Sequence, residues 1–527
     1  MPPLNDRRAA DPDPGLAAPT GGGATAAASA PPVSPRELRI VFAALMLAMT
    51  LGALDQSIVN TALPRMASDL GGLAHISWVV TAFMLTSTIV TPIYGKLSDM
   101  YGRRRLFVVS ISLFLLASVL CGAAQTMTQL ILFRALQGLG AGGLMTLAQT
   151  VIGDLVEPRE RGRYQGLFTG AFAVSSVAGP LIGGGLTSAL SWRWVFFVNL
   201  PVGALALGLI LIGLRRAPPA VHHRIDYAGA LLLAGAATCM LLLLGWGGSV
   251  LAWTSLPARA LGLGSLVLLV LFVRQERHVA EPIMTLELFR IRSFATGVFA
   301  SGTMAFAMLG TLVFLPLYFQ LVLGLGPAQT GLMMLPQIGT MLLSSVIGGQ
   351  LVSRFGWVKP FLVLGVGLEA VALGSLALLA FTGTGIMTFL IALGMLGLGM
   401  GIAMPNATVI VQNAVDRSAL GVATATMAFV RSLGGALGVA VSGGVMAIHL
   451  GSSLAALGAH IDAHALIEGG MSSIAALPPA VHLAVIDAYR EAIAFSFLVG
   501  GCVMTAAFVL TTTLKNVPAR GEKPGPE

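Results

Sequence analysis

The chain has 527 residues, 56% of them hydrophobic and only 10% charged, with a mean hydropathy of +0.87. A soluble protein of this size needs a polar outer face that such a composition cannot supply, so a water-soluble globule is excluded. The net charge of +8 would suggest nucleic acid in a soluble protein; the placement of the charges along this chain argues otherwise.

Residues 1–37 are rich in Ala, Pro and Gly and carry Asp6, Arg7 and Arg8. They lack the apolar run and cleavage site of a secretory signal and read as a disordered cytoplasmic tail. Fourteen apolar runs follow, each close to the length of about 20 residues that spans a bilayer as a helix. They lie near 39–61, 76–96, 106–125, 129–152, 165–189, 195–214, 226–246, 259–275, 294–317, 329–352, 360–381, 386–411, 419–447 and 490–514. The expected organisation is a six-helix bundle over 38–216, two inserted helices with linkers over 217–290, and a second six-helix bundle over 291–515. An outer loop at 449–488 and a cytoplasmic tail at 516–527 complete it.

Of the 30 Lys and Arg, most fall in alternate loops that share one side with the N-terminus. Only Arg65, Arg193, Arg259 and Arg490 fall on the other side, and Arg134 and Arg431 lie within spans. Cytoplasmic loops carry the basic excess, so both termini are expected in the cytoplasm of a cell with an inner membrane. The basic surplus is therefore a topology signal, and nucleic acid is not an expected partner. Cys121, Cys239 and Cys502 each sit in an apolar run with no ligand spacing and read as small packing residues.

The loop after the second span reads Gly95-Lys-Leu97-Ser-Asp99-Met-Tyr101-Gly102-Arg103-Arg104-Arg105. The loop after the tenth reads Gly349-Gln-Leu351-Val-Ser-Arg-Phe355-Gly356-Trp-Val-Lys359. Glycine, leucine, aromatic, glycine and base recur at the same offsets, as expected of two related bundles around a central pathway.

The first of these loops resembles the cytoplasmic signature of the major facilitator superfamily. Leu54-Asp55-Gln-Ser-Ile-Val59-Asn60-Thr-Ala-Leu-Pro64 resembles the first-helix signature of its 14-helix drug:proton antiporter branch, the multidrug efflux type. Arg134-Ala-Leu-Gln137-Gly138-Leu-Gly140 is similar to the family's fourth-helix arginine motif, and Gly179-Pro180-Leu-Ile-Gly183-Gly184 to the motif that marks antiporters. Trp192-Arg-Trp194-Val-Phe-Phe-Val-Asn199-Leu-Pro201 is also typical of the branch. Ser175 stands where the antiporter motif has a further glycine; serine is small enough for close helix contact.

Among individual residues, Asp55 is placed about six residues, roughly 9 Å, from the outer end of its helix. A carboxylate at that depth is costly, and a group that burial drives toward neutrality can bind and release protons. The competing reading is a helix-end cap. Arg134 stays charged and needs an anionic or carbonyl partner; it either tunes Asp55 or forms a fixed structural bond. Glu369, mid-span in the eleventh helix, is a second proton or cation-selecting site, or a protonated acid bonded to a neighbouring helix. Arg431 reads as a structurally paired charge. Asp99 with Gly95, Gly102, Arg103 and Arg104 forms a candidate conformational switch, the glycines supplying a tight turn. Gly179, Pro180, Gly183 and Gly184 give the fifth helix a kink and a thin packing face. His449, His460, His464 and His482 read as solvated outer-loop residues, and no metal site is expected. Met304, Met308, Met333, Met334, Met400 and Met404 read as packing residues or as the lining of an adaptable pocket.

No phosphate-binding loop follows a strand, and the glycines from Gly138 to Gly143 lie inside a span, so neither an ATPase nor a dinucleotide site is expected. The reading is a monomeric, non-enzymatic, proton-coupled exporter of small amphipathic molecules, cations among them, with the proton gradient in place of a cofactor. The alternatives are a dedicated exporter of an endogenous lipid, siderophore or antibiotic, and a transport-inactive sensor or scaffold on the same fold.

Overall fold

The computed structural model describes residues 35–70, 77–214, 226–247, 251–383, 385–456 and 479–514. Among these, fourteen helices are long and apolar enough to cross a membrane. They are α1 (Pro35–Leu70), α2 (Ser77–Tyr101), α3 (Arg103–Ala123), α4 (Met127–Leu155), α5 (Arg161–Ala189) and α6 (Asn199–Gly213), whose span of Trp194–Gly213 takes in the one-turn helix Trp194–Phe197 before it. The inserted pair is α7 (Tyr227–Trp246) and α8 (Leu256–Glu276), followed by α9 (Arg292–Leu317), α10 (Pro327–Phe355) and α11 (Lys359–Thr382). The series closes with α12 (Ile386–Asn413), α13 (Leu420–Ala456) and α14 (Pro479–Thr512). Local signals set several starts. Thr126 accepts from the Gln129 amide to cap α4, Asp226 caps α7 through Gly229, and Ser255 caps α8 through Ala258. Pro327 opens α10, where its missing N–H costs nothing.

Helices α1–α6 pack on one another, as do α9–α14, giving two six-helix bundles. The bundles meet chiefly along α5 with α10 and α2 with α13. The inserted helices α7 and α8 pair together, and α7 lies against both α2 and α13. A cluster of Leu233, Ala237, Phe272, Ile283, Met284 and Phe429 fastens the pair at that seam. Trp78 and Trp246 meet edge to face with ring centroids 4.9 Å apart.

The repeat legible in the two loops is a repeat of backbone geometry. Gly102 and Gly356 both take positive φ, at 89° and 76°, where a side chain would be strained. Gly95 does not serve a turn: it lies inside α2, where an added Cβ would stand 2.6 Å from the Gly421 carbonyl oxygen of α13. Its counterpart Gly349 lies inside α10, where a Cβ would stand 2.9 Å from the Gly162 carbonyl carbon of α5. Each loop glycine thus ends a helix whose other glycine lets the two bundles touch backbone to backbone.

The longest departures from the expected spans are at helix ends. α1 runs through Pro64 to Leu70, so Asp55 sits fifteen residues, roughly 22 Å, from its end rather than six. Arg65 is therefore a helix residue, paired with Asp69 at 3.4 Å. Arg259 lies in α8 and Arg490, 3.3 Å from Asp487, in α14. α13 reaches Ala456 and α14 begins at Pro479, which shortens the expected outer loop. His449 is a helix residue stacked 3.9 Å from the Phe495 ring centroid, and His482 also lies in a helix. His460, His464 and the N-terminal tail through residue 34 lie outside the described residues, as does the tail from 516 onward.

The glycine contacts give a matched test. Gly349→Ala is expected to lower the thermal midpoint of the purified protein by several degrees, the overpacking costing about 1–3 kcal/mol. Gly331→Ala, with no atom within 4 Å of the added methyl, is expected to leave the midpoint unchanged or slightly raised. Equal midpoints for the two variants would show that the α5–α10 contact tolerates a side chain.

Candidate functional site: a buried ion pair and an interbundle latch

Within the first bundle, Asp55 and Arg134 are buried at 0% and 1% exposure. The Arg134 Nη1 donates to Asp55 Oδ2 at 2.7 Å and to Gln137 Oε1 at 2.6 Å, and its Nε donates to the Val79 carbonyl at 3.2 Å. The other carboxylate oxygen, Asp55 Oδ1, accepts from Gln137 Nε2 at 3.0 Å and Asn199 Nδ2 at 2.8 Å. Ser118 Oγ accepts from both amides, at 2.8 Å from Gln137 and 3.3 Å from Asn199. The Arg134 guanidinium also lies 4.0 Å over the Phe83 ring, which takes part of the cation's exposed face. The cluster joins α1, α2, α3, α4 and α6. Two buried charges are tolerated at this depth because each finds the other and both have further polar partners.

Gln137, Asn199 and Ser118 were not singled out from sequence as site residues. Gln137 and Asn199 lie inside the motifs around Arg134 and Trp192, so their positions carried a signal; Ser118 gave none. Gln56 and Asn60 are exposed one turn apart on α1, away from its neighbours α4, α5 and α6.

The thin face of α5 meets α1 next to this cluster. A Cβ on Gly179 would collide with the Ser57 side chain, and one on Gly183 would lie 2.8 Å from the Ile58 carbonyl oxygen. Ser175, which stands at a motif glycine position, is buried with its Oγ donating to the Ala171 carbonyl at 2.9 Å, and its own carbonyl accepts from Ser57 Oγ at 3.1 Å. Gly184 has no atom within 4 Å of an added Cβ and takes no part in this face. Pro180 is exposed within α5.

At the end of the molecule where Gly102 turns the chain, the loop end, hydrogen bonds tie the bundles together. Asp99 accepts from the backbone amides of Gly421 at 3.1 Å and Val422 at 2.9 Å. It thereby caps the positive N-terminus of α13, whose first amides have no partner in their own helix. Arg103 pairs with Asp99 and, through Nε at 2.7 Å, with Asp154 of α4. Arg104 Nη2 donates to the Leu211 carbonyl of α6 at 2.7 Å. Arg161 reaches the carbonyls of Gly153, at the end of α4, and of Gln412, at the end of α12, plus Asn413 Oδ1 at 2.7 Å. A cation here serves the negative ends of two helices, one from each bundle. Gln412 Nε2 donates to the Gln149 carbonyl at 2.9 Å, and Arg159 donates to the Ser353 and Arg354 carbonyls.

Two other charges stand apart from both groups. Glu369 is fully buried in α11 against Gly399 of α12, and neither carboxyl oxygen has a hydrogen-bond partner among the described residues. The structure does not bring it to Asp55, nor does it give it the bond to a neighbouring helix that sequence allowed. Arg431, expected to be paired, has no ion pair or hydrogen bond among the described residues. Met304 and Met400 are buried and Met308, Met333, Met334 and Met404 pack around them in the core of the second bundle.

The Asp99 cap predicts a local signature. In Asp99→Ala the Gly421 and Val422 amides are expected to exchange hydrogen at least about tenfold faster, since a bond to a charged group contributes about 1.5–3 kcal/mol. Hydrogen exchange measured on peptides covering the start of α13 checks this; an unchanged rate would mean that the cap contributes no protection.

Comparison with known proteins bears on what this arrangement does. The family model described as Major Facilitator Superfamily matches residues 45–439. The multidrug transporter protein MdtP of Bacillus subtilis is 38% identical over 418 residues, covering 79% of this chain and 76% of that protein. The efflux pump LUC4 of a Fusarium species is 31% identical over 499 residues, covering 92% and 88%. The solved proton:xylose symporter XylE superposes with a TM-score of 0.61 at 15% identity, covering 92% of this chain and 97% of that one, which reports the fold. A match over this span, with two six-helix bundles and fourteen apolar helices, makes the chain a multi-pass membrane transporter of the Major Facilitator Superfamily.

Proposed function

We propose that the chain is a proton-coupled exporter, a drug:proton antiporter, which moves amphipathic small molecules out of the cell by alternating access. The observation that carries the reading is the Asp55–Arg134 cluster. A carboxylate enclosed in a membrane bundle, with three donors on its two oxygens, is a group whose charge state and helix contacts change together. With Asp55 ionised, Arg134, Gln137 and Asn199 draw α1, α4 and α6 onto it. Protonation cancels the ion pair and turns one acceptor oxygen into a donor, so these contacts must rearrange. That is the link between proton and conformation that an antiporter needs.

The loop-end latch supports the same reading from the other side. The bonds between the bundles gather where Asp99, Arg103 and Arg161 lie, which corresponds to a pathway shut at that end. The basic excess in the loops on this side supports reading this end as the cytoplasmic one of an inner-membrane protein, with both termini inside. Opening it means withdrawing Asp99 from the α13 N-terminus and Arg161 from the α12 C-terminus. The close contact of α1 with α5 at Gly179 and Gly183 then keeps the first bundle rigid as it rocks. Names of relatives, a multidrug transporter and efflux pumps, favour export of foreign or secondary compounds over nutrient uptake. A dedicated export role for one endogenous product uses the same machinery and differs only in substrate.

The experiment is reconstitution into liposomes with an imposed proton gradient and a pH-sensitive dye in the lumen. Addition of a transported compound is expected to release protons through the wild-type protein, and Asp55→Asn is expected to abolish that release while still binding the compound. Gradient-driven transport by Asp55→Asn at the wild-type rate would remove Asp55 from the coupling scheme.

A further inference from the structure

In the second bundle α11 packs chiefly on α12 and α14. Its remaining face, with Leu364, Val371 and Leu378 more than half exposed, looks onto lipid. A groove of about 700 Å³ runs along that face between α11 and α14. Pro360, Leu364, Gly367 and Val371 line one side of it, and Thr505 and Phe508 the other. Glycines give the groove its shape. The two helices touch backbone to backbone at Gly374 and Gly501, where a Cβ added to Gly501 would lie 3.3 Å from the Gly374 nitrogen. Two turns nearer the loop end the Phe508 ring stands between them, 3.0 Å from a Cβ added to Gly367. The groove is thus closed at its inner end and opens toward the loop end.

Its dimensions and chemistry match one leaflet of a bilayer. From Pro360 to Val371 the groove runs about 16 Å along α11, half of a hydrocarbon core of about 30 Å. Phe355 and Trp357, exposed just before α11, are aromatic anchors of the kind found at headgroup level, which puts the mouth there. The walls offer no free polar group. Thr505 is the one polar residue on them, and its hydroxyl donates to the Gly501 carbonyl at 2.8 Å. The mouth, by contrast, carries a cation. Lys359 lies one turn before Val363 of the groove wall, on the same face of α11, and helix side chains lean toward the N-terminus, here toward the headgroups. It has neither an ion pair nor a hydrogen bond among the described residues. No acid occurs in 351–368 or in 492–515, so the stretches of chain that frame the mouth supply none. The positive end of α11, which has no side-chain cap, adds to the same charge.

We propose that the groove is a lipid site, which takes one acyl chain of an anionic phospholipid and holds the phosphate at Lys359. The apolar walls accept the chain without asking for any hydrogen bond, and the unpaired ammonium selects the headgroup. The groove lies away from the α5–α10 and α2–α13 seams where the bundles meet, so a lipid can stay in it while the bundles move. The assignment is independent of proton coupling and of what the protein carries.

The test is native mass spectrometry of the purified, delipidated full-length protein, titrated with dioleoylphosphatidylglycerol or dioleoylphosphatidylcholine, which share their chains. Wild type is expected to retain one phosphatidylglycerol about fivefold more tightly than phosphatidylcholine, the effect of a single cation at a membrane surface. Lys359→Gln is expected to bring phosphatidylglycerol down to phosphatidylcholine. Leu364→Trp, which fills the groove, is expected to lose both lipids, and Leu378→Trp, two turns past the groove on the same exposed face, to keep both. Equal wild-type affinities, or a preference that survives in Lys359→Gln, would overturn the assignment. Unchanged retention in Leu364→Trp, or equal losses in the two tryptophan variants, would do the same. A wild-type dimer that disappears in Leu364→Trp would give the groove to a second copy of the chain and overturn it as well. These readings need no proton gradient, so failure of the liposome assay leaves the lipid site standing.

Discussion

Lipid offers no water to a buried ion, so every charge carried into the membrane must be answered by the protein or by what the protein binds. That constraint organises this molecule. Asp55 and Arg134 answer each other, and their remaining valences reach Gln137, Asn199, Ser118 and the Val79 carbonyl. Five helices of the first bundle therefore meet at one ionic centre. Breaking such a pair by removing one partner typically costs about 3–5 kcal/mol because the other is left stranded. Adding a proton instead removes one charge without removing an atom, and only Arg134 must find new company. Arg431 stands apart from this centre, with no ion pair or hydrogen bond among the described residues.

The two halves share a backbone device and differ in side chains. Gly102 and Gly356 turn the chain at positive φ, and Gly95 and Gly349 admit a facing helix at van der Waals distance. The acid is not repeated: Ser353 stands where Asp99 stands in the first half, and its carbonyl accepts from Arg159. One seam is thus closed by a carboxylate on a helix N-terminus, the other by a cation on backbone carbonyls. The inserted pair α7 and α8 adds to this asymmetry, since it covers only the α2–α13 seam.

Much of this was legible in the sequence. Fourteen apolar runs and the placement of basic loops gave the helix count, and the paired glycines announced the repeat, because hydrophobic length and φ > 0 are local properties. The length of α1 past Asp55 was not legible, because apolarity fades before the helix ends and its last turns carry Arg65 and Asp69. The role of Gly95 was misplaced for a related reason. A glycine beside a loop signals a turn, whereas the need for it lies on Gly421, more than three hundred residues away. Gln137, Asn199 and Ser118 complete the ion pair through contacts that no spacing encodes, although two of them sat in quoted motifs. The unpaired state of Arg431 among the described residues was equally invisible, since sequence can show that a charge needs a partner but not whether the fold supplies one.

The central claim is that Asp55 itself takes the proton, and infrared difference spectroscopy of the purified protein across an acid pH step reads that event directly. Wild type should gain a protonated-carboxyl band that is missing from the Asp55→Asn spectrum, with the remaining carboxyl signals common to both. Identical difference spectra for the two proteins would mean that the proton goes elsewhere, and that the buried pair of α1 and α4 is a structural bond.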